Sequence, residues 1–209
     1  IFMVYDKDIR EPLFDFLEMI YGKIRIKKKK QIGKSRADVV MVVPDALYGI
    51  EIKSDADTYK RLEKQVYDYN QYFDYNYVVI GTRHAMHIEE HISKWWGIIT
   101  VELVEQKLDF YVLRTPSQNP KRNIKKKLSL LWRPELVHIQ ELNRMPKYKE
   151  KSKLFVIEKI LLMVSEEQLQ EQISEELFQR DYNEIAEKIQ AYRRENNLPT
   201  KRKKRRYKR

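Results

Sequence analysis

The 209-residue chain carries 42 Lys or Arg against 31 Asp or Glu, for a net charge of +11, and is 42% apolar. That length can bury a core, and with 5 Gly and 7 Pro the composition excludes a disordered or loop-built chain. Cys is absent, which excludes disulfides and thiolate metal sites, and no apolar run reaches the ~18 residues of a membrane span. The expectation is a soluble, cytoplasmic protein with no membrane partner.

In chain order, Ile9, Leu13, Phe14, Phe16, Leu17 and Ile20 recur at helical spacing, predicting a helix over 8–21 that ends at Gly22. The segment 23–34 is too charged for a core strand, although Ile24, Ile26 and Ile32 fit a short edge strand. Alternation in 37–43 and 48–53 predicts a β-hairpin through Pro44-Asp45-Ala46-Leu47. A turn centred on Asp45 and Ala46 sets Asp38 opposite Lys53 and Val40 opposite Glu51. Directly paired residues share a sheet face, so Asp38, Glu51 and Lys53 would project together. Residues 58–73 read as a helix capped by Ser54, Asp55 or Asp57. Then come a strand at 77–82, a short helix within 83–96, and strands at 97–103 and about 105–113.

This order predicts an α/β core with a mixed central sheet flanked by helices, over residues 1–115. Strand signals then cease. Residues 116–199 read as a helical extension packed on the core, with a capping box at Ser165 and Gln168. Residues 200–209, with eight Lys or Arg, read as a basic, flexible tail. Further basic clusters include Lys28, Lys29, Lys30, Lys34 and Arg36, and later Lys125, Lys126 and Lys127. Such clusters suit nucleic acid, because each phosphate contact releases condensed counterions.

Asp38 and the Glu51-Ile52-Lys53 strand carry the chemistry. Hydrolysis of a phosphodiester uses a metal ion to polarise phosphate and acidify water. Mg2+ or Mn2+ takes hard oxygen ligands, one or two of them carboxylates, and Asp38 and Glu51 are the candidates. Lys53, two residues on, stays on the carboxylate side and can steady developing negative charge. His87 and His91 are four apart, but Ile88 stands where a zincin would place its glutamate, so zinc is not expected.

The pattern Asp38…Glu51-Ile52-Lys53, after a helix containing Glu11 and Glu18, resembles the PD-(D/E)XK nuclease superfamily. Gln65-Val66-Tyr67-Asp68-Tyr69 resembles the Q-x-x-x-Y element of its RecB-type branch. More narrowly, Gly49-Ile50-Glu51-Ile52-Lys53-Ser54-Asp55 with Asp57-Thr58, Arg61-Leu62, Phe73-Asp74 and Trp95-Trp96-Gly97-Ile98 resembles a bacterial family placed in that superfamily. The resemblance runs from about Asp8 to Trp132. It implies a restriction-endonuclease-like fold, a divalent-metal site and cleavage of DNA, endo- or exonucleolytic. It also implies that Gln65 and Tyr69 support the site and contact DNA. Where that pattern carries an acid before Arg36-Ala37-Asp38, this chain has Lys27-Lys28-Lys29-Lys30, so Glu18 or Glu11 would have to substitute. The rival expectation is a nuclease-fold protein that binds nucleic acid without cutting; a homodimer or larger nucleoprotein complex fits either.

Overall fold

The structure is a computed structural model that describes residues 6–53 and 59–180, with residues 187, 190, 191 and 194 beyond them. The caps expected at Ser54, Asp55 and Asp57, most of the stretch after residue 180 and the basic tail lie outside the described residues. Ile1–Phe178 forms one compact unit and Gln179–Arg209 a second. Among the described residues, no helix is long and apolar enough to cross a membrane.

Helix α1 (Asp6–Tyr21) leads into a six-stranded sheet: β1 (Arg25–Ile32), β2 (Ser35–Val43), β3 (Ala46–Lys53), β4 (Tyr75–Gly81), β5 (Gly97–Val104) and β6 (Lys107–Arg114), adjacent in that order. The pairs β1–β2, β2–β3 and β5–β6 are antiparallel, whereas β3–β4 and β4–β5 are parallel. Parallel neighbours need crossovers. Helix α2 (Leu62–Tyr72), entered through a tight turn at Tyr59–Arg61, supplies the first, and the short α3 (Ala85–Ile88) lies in the second. The protein is therefore an α/β protein with a mixed sheet and flanking helices, as the sequence predicts. The charged segment after Gly22 forms the full edge strand β1.

Alternation assigns the two sheet faces. Val39, Met41, Ile50, Ile52, Val79 and Ile99 pack with Ile9, Leu13 and Leu17 of α1. Val40, Val42, Leu47, Val78, Ile80 and Ile98 form the other core with Val66 and Tyr69 of α2 and Phe73 just past its end. That second core also takes in α4 (Ile124–Ser129), α5 (Arg133–Leu142), α6 (Lys153–Met163) and α7 (Glu166–Gln179). Ser165 accepts the Gln168 backbone N–H at 3.3 Å, so α7 starts at the expected cap.

Two corrections come from this packing. The β2–β3 turn is Pro44-Asp45, because Val43 pairs with Ala46; Val40 therefore faces Gly49, not Glu51, and the Asp38–Lys53 pairing does not occur. Pro44 and Asp45 close a two-residue hairpin, which shifts the register by two and leaves every side chain on its predicted face. Lys127, expected to contact nucleic acid, is 1% exposed. Its ammonium lies 2.6 Å from Asp74 Oδ2 and bonds Gln170; the rotation of about 100° per residue around α4 turns Lys127 inward while Lys125 and Lys126 stay outside.

Gly49 makes the junction between β3 and α2 possible. A Cβ there would stand 2.2 Å from Phe73 Cδ2 and 2.6 Å from Tyr69 Cδ1. Gly49→Ala should cost at least ~1–3 kcal/mol in urea denaturation, because neither ring can move within a packed core.

Candidate active site

Strand β3 runs between β2 and β4, with α1 packed on one face and α2 on the other, so Glu51 and Lys53 are carried inside, 1% and 7% exposed. Burying two charges is costly unless they are paired. Here Lys53 Nζ lies 2.9 Å from Glu51 Oε1. Gln65, from α2, completes a triangle: its amide nitrogen donates to Glu51 Oε1, and its amide oxygen accepts from Lys53 Nζ at 2.9 Å. One turn further along α2, the Tyr69 hydroxyl donates to Glu51 Oε2 at 2.6 Å.

Asp38 joins through the same tyrosine. Its backbone N–H donates to Tyr69 Oη at 3.1 Å, while its Oδ2 accepts the Ile52 N–H at 3.2 Å. Arg10 of α1 sets Nη2 at 3.5 Å from Asp38 Oδ1. Thus β2, β3 and α2 bring Asp38, Glu51, Lys53, Gln65 and Tyr69 into one connected cluster. It sits at the carboxyl end of β3, the end at which α/β sheets present their ligand sites.

Electrostatics follow from this burial. Desolvation, then the Asp38 charge, push the Glu51 carboxyl up from 4.5 to about 7, against the pull of Lys53 and Tyr69. Burial, with the Glu51 and Asp38 charges next, also holds the Tyr69 hydroxyl well above its usual value, so it remains a proton donor. Two carboxylates that repel each other form an arrangement a dication relieves. Among the described residues no group of three or more Asp, Glu or His side chains is placed to hold a metal. A donor set of two carboxylates still fits Mg2+ or Mn2+, which commonly complete their octahedra with water.

The other expected residues distribute as follows. Glu11 pairs with Lys28, which also lies over the Phe14 ring, and Glu18 is exposed. Neither contacts the cluster, because α1 packs on the opposite sheet face; the α1 side chain that reaches it is basic Arg10. Lys125 pairs with Glu158 at 2.9 Å. Lys29, Lys34, Arg36 and Lys126 are exposed, and Lys30 is half-buried. Sequence reasoning missed Arg10, which sits beside the apolar stripe of α1 with no local sign of a distant partner. It also missed Asn70, whose Oδ1 accepts both Trp95 Nε1 at 3.0 Å and Trp96 Nε1 at 2.8 Å. Trp96 packs on Tyr69 with centroids 5.4 Å apart, so this amide supports the back of the site.

The molecule is thus an α/β protein with a carboxylate–lysine cluster at the end of its central strand. The chain belongs to the family of bacteriophage P4 protein cII, whose sequence profile matches residues 10–202. Comparison with curated proteins and with solved structures gives no match.

Proposed function

We propose that the protein is a divalent-metal-dependent nuclease that hydrolyses phosphodiester bonds of DNA. One observation carries this reading: Asp38 on β2, Glu51 and Lys53 on β3, and Gln65 and Tyr69 on α2 share one hydrogen-bonded cluster. Asp38 and Glu51 would hold Mg2+ or Mn2+, whose chemistry is to polarise the phosphate and lower the pKa of an attacking water. The chain's own residues do the rest. Lys53 carries positive charge toward the phosphoryl group, and Gln65 holds that ammonium and Glu51 in fixed relation. Tyr69 keeps the Glu51 carboxylate oriented and links it to Asp38, so both ligands move as a unit.

A second reading, binding without cutting, has its own observation: Arg10 already lies on Asp38 and Lys53 on Glu51, so each carboxylate has a cation partner. Incubating linear, circular and single-stranded DNA, and RNA, with Mg2+ or Mn2+ decides between them. Cleavage by the wild type and its loss in Glu51→Ala and Lys53→Ala are the expected results. Cutting that persists in both variants would remove the site from consideration; DNA binding with an inactive wild type would favour the second reading.

A further inference from the structure

The cluster itself attracts no polyanion, because Asp38 and Glu51 balance Arg10 and Lys53. A DNA substrate therefore needs cations outside it. Several basic candidates are already neutralised by partners: Lys28 by Glu11, Lys125 by Glu158 and Lys127 by Asp74.

Of the basic residues left exposed, Lys29 and Arg61 flank the cluster on its two sides. The β1–β2 ladder pairs Lys28 with Val39 and Lys30 with Ala37 and is interrupted between them, at the position of Lys29 and Asp38. Lys29 is exposed, forms no ion pair among the described residues, and has a φ of +53°. Left-handed backbone is unfavourable for a lysine, and no burial of its side chain offsets that cost. On the other side, Arg61 closes the tight turn Tyr59–Arg61 and is the N-cap residue of α2, four residues before Gln65. It is exposed, its side chain makes no capping hydrogen bond, and it too forms no ion pair among the described residues.

We propose that Lys29 and Arg61 are phosphate contacts flanking the cluster, and that the ligand is a DNA strand running from the β1 edge past Asp38 and Glu51 to the start of α2. The proposal rests on the nuclease reading for its choice of DNA. One cation on the strand beyond Asp38 and another a turn beyond Gln65 suit a chain of phosphates and not a mononucleotide. Each contact displaces counterions independently, so each has its own signature in salt.

The test is fluorescence anisotropy of a labelled DNA duplex with the full chain, metal chelated, over a salt series. Lys29→Gln and Arg61→Gln should each reduce the slope of log affinity against log salt by about 0.9, and the double variant by about 1.8. Lys107→Gln, at an exposed site on β6 at the opposite sheet edge, should leave it unchanged. Lys29→Gly should raise the thermal midpoint, by relieving the left-handed backbone, and still lose the same slope; a structural role would not move the two readouts that way. Unchanged slopes in the Lys29 and Arg61 variants, or an equal loss in Lys107→Gln, would overturn the proposal, as would binding of RNA but not DNA. A wild type that shows these slopes yet never cuts with Mg2+ or Mn2+ supports the strand path while removing the nuclease reading.

Discussion

Glu51→Gln should gain stability relative to the metal-free wild type as pH rises through neutrality, and should abolish cleavage. The folded-state pKa of Glu51 is raised, from 4.5 to about 7, so folding favours its protonated form. Its contribution to stability is full below 4.5 and is lost as pH rises through about 7. A displacement of that size corresponds to about 3 kcal/mol. Glutamine keeps a neutral carbonyl for Tyr69 and removes the ionisation, so the difference between variant and wild type should grow across that window. Urea denaturation in chelator at several pH values measures it; a difference that stays flat would show that Glu51 is not held at a raised pKa. Cleavage should fall by at least about 10²-fold, the scale of losing one preorganised charge contact at a reacting centre. A stability difference that grows with pH, together with lost cleavage, is a combination that a purely structural Glu51 would not produce.

Lys127→Ala should cost about 3 kcal/mol, the low end for breaking a buried ion pair, because Asp74, 5% exposed, then keeps only the longer contact to Arg122 Nε at 3.8 Å as its cation among the described residues. Asp74 Oδ2 also accepts the Leu47 N–H at 2.8 Å, so this one carboxylate ties the start of β3 to α4. Combining Lys127→Met with Asp74→Asn should recover most of the loss. A neutral pair of similar volume needs no counter-charge, and the amide introduced in place of the carboxylate still offers an oxygen to the Leu47 N–H. Lys126→Ala, exposed on the same helix, should stay within about 0.5 kcal/mol. Urea denaturation of the wild type and these three variants is the measurement. A mild Lys127→Ala effect accompanied by weaker DNA binding would restore the nucleic-acid role first expected for this residue.

The comparison between Lys125, Lys126 and Lys127 shows where sequence patterns stop. In the chain they form one basic run. On α4 each step rotates the side chain by about 100°, and only Lys127 turns toward the sheet, where Asp74 waits 53 residues away in sequence. Glu11 and Glu18 fail for a related reason: helical spacing gives α1 an apolar stripe, but not the sheet face on which that stripe docks. The hairpin error behaved differently. Moving the turn to Pro44-Asp45 changed each partner by two positions, and the period of two returned every side chain to its predicted face.

Local periodicity therefore determined much of this protein from sequence alone. It placed the strands, the helix carrying Gln65 and Tyr69, and the common side of Glu51 and Lys53, because alternation and helical spacing are properties of a short stretch of backbone. Tertiary structure decided what those side chains meet. It sealed Glu51 between Lys53, Gln65 and Tyr69, raised its pKa by desolvation, and brought Arg10 to Asp38. It also left Lys29 and Arg61 exposed beside the cluster while neutralising neighbouring basic residues with distant acids. Burial and long-range pairing depend on which faces pack together, and no local pattern contains that information.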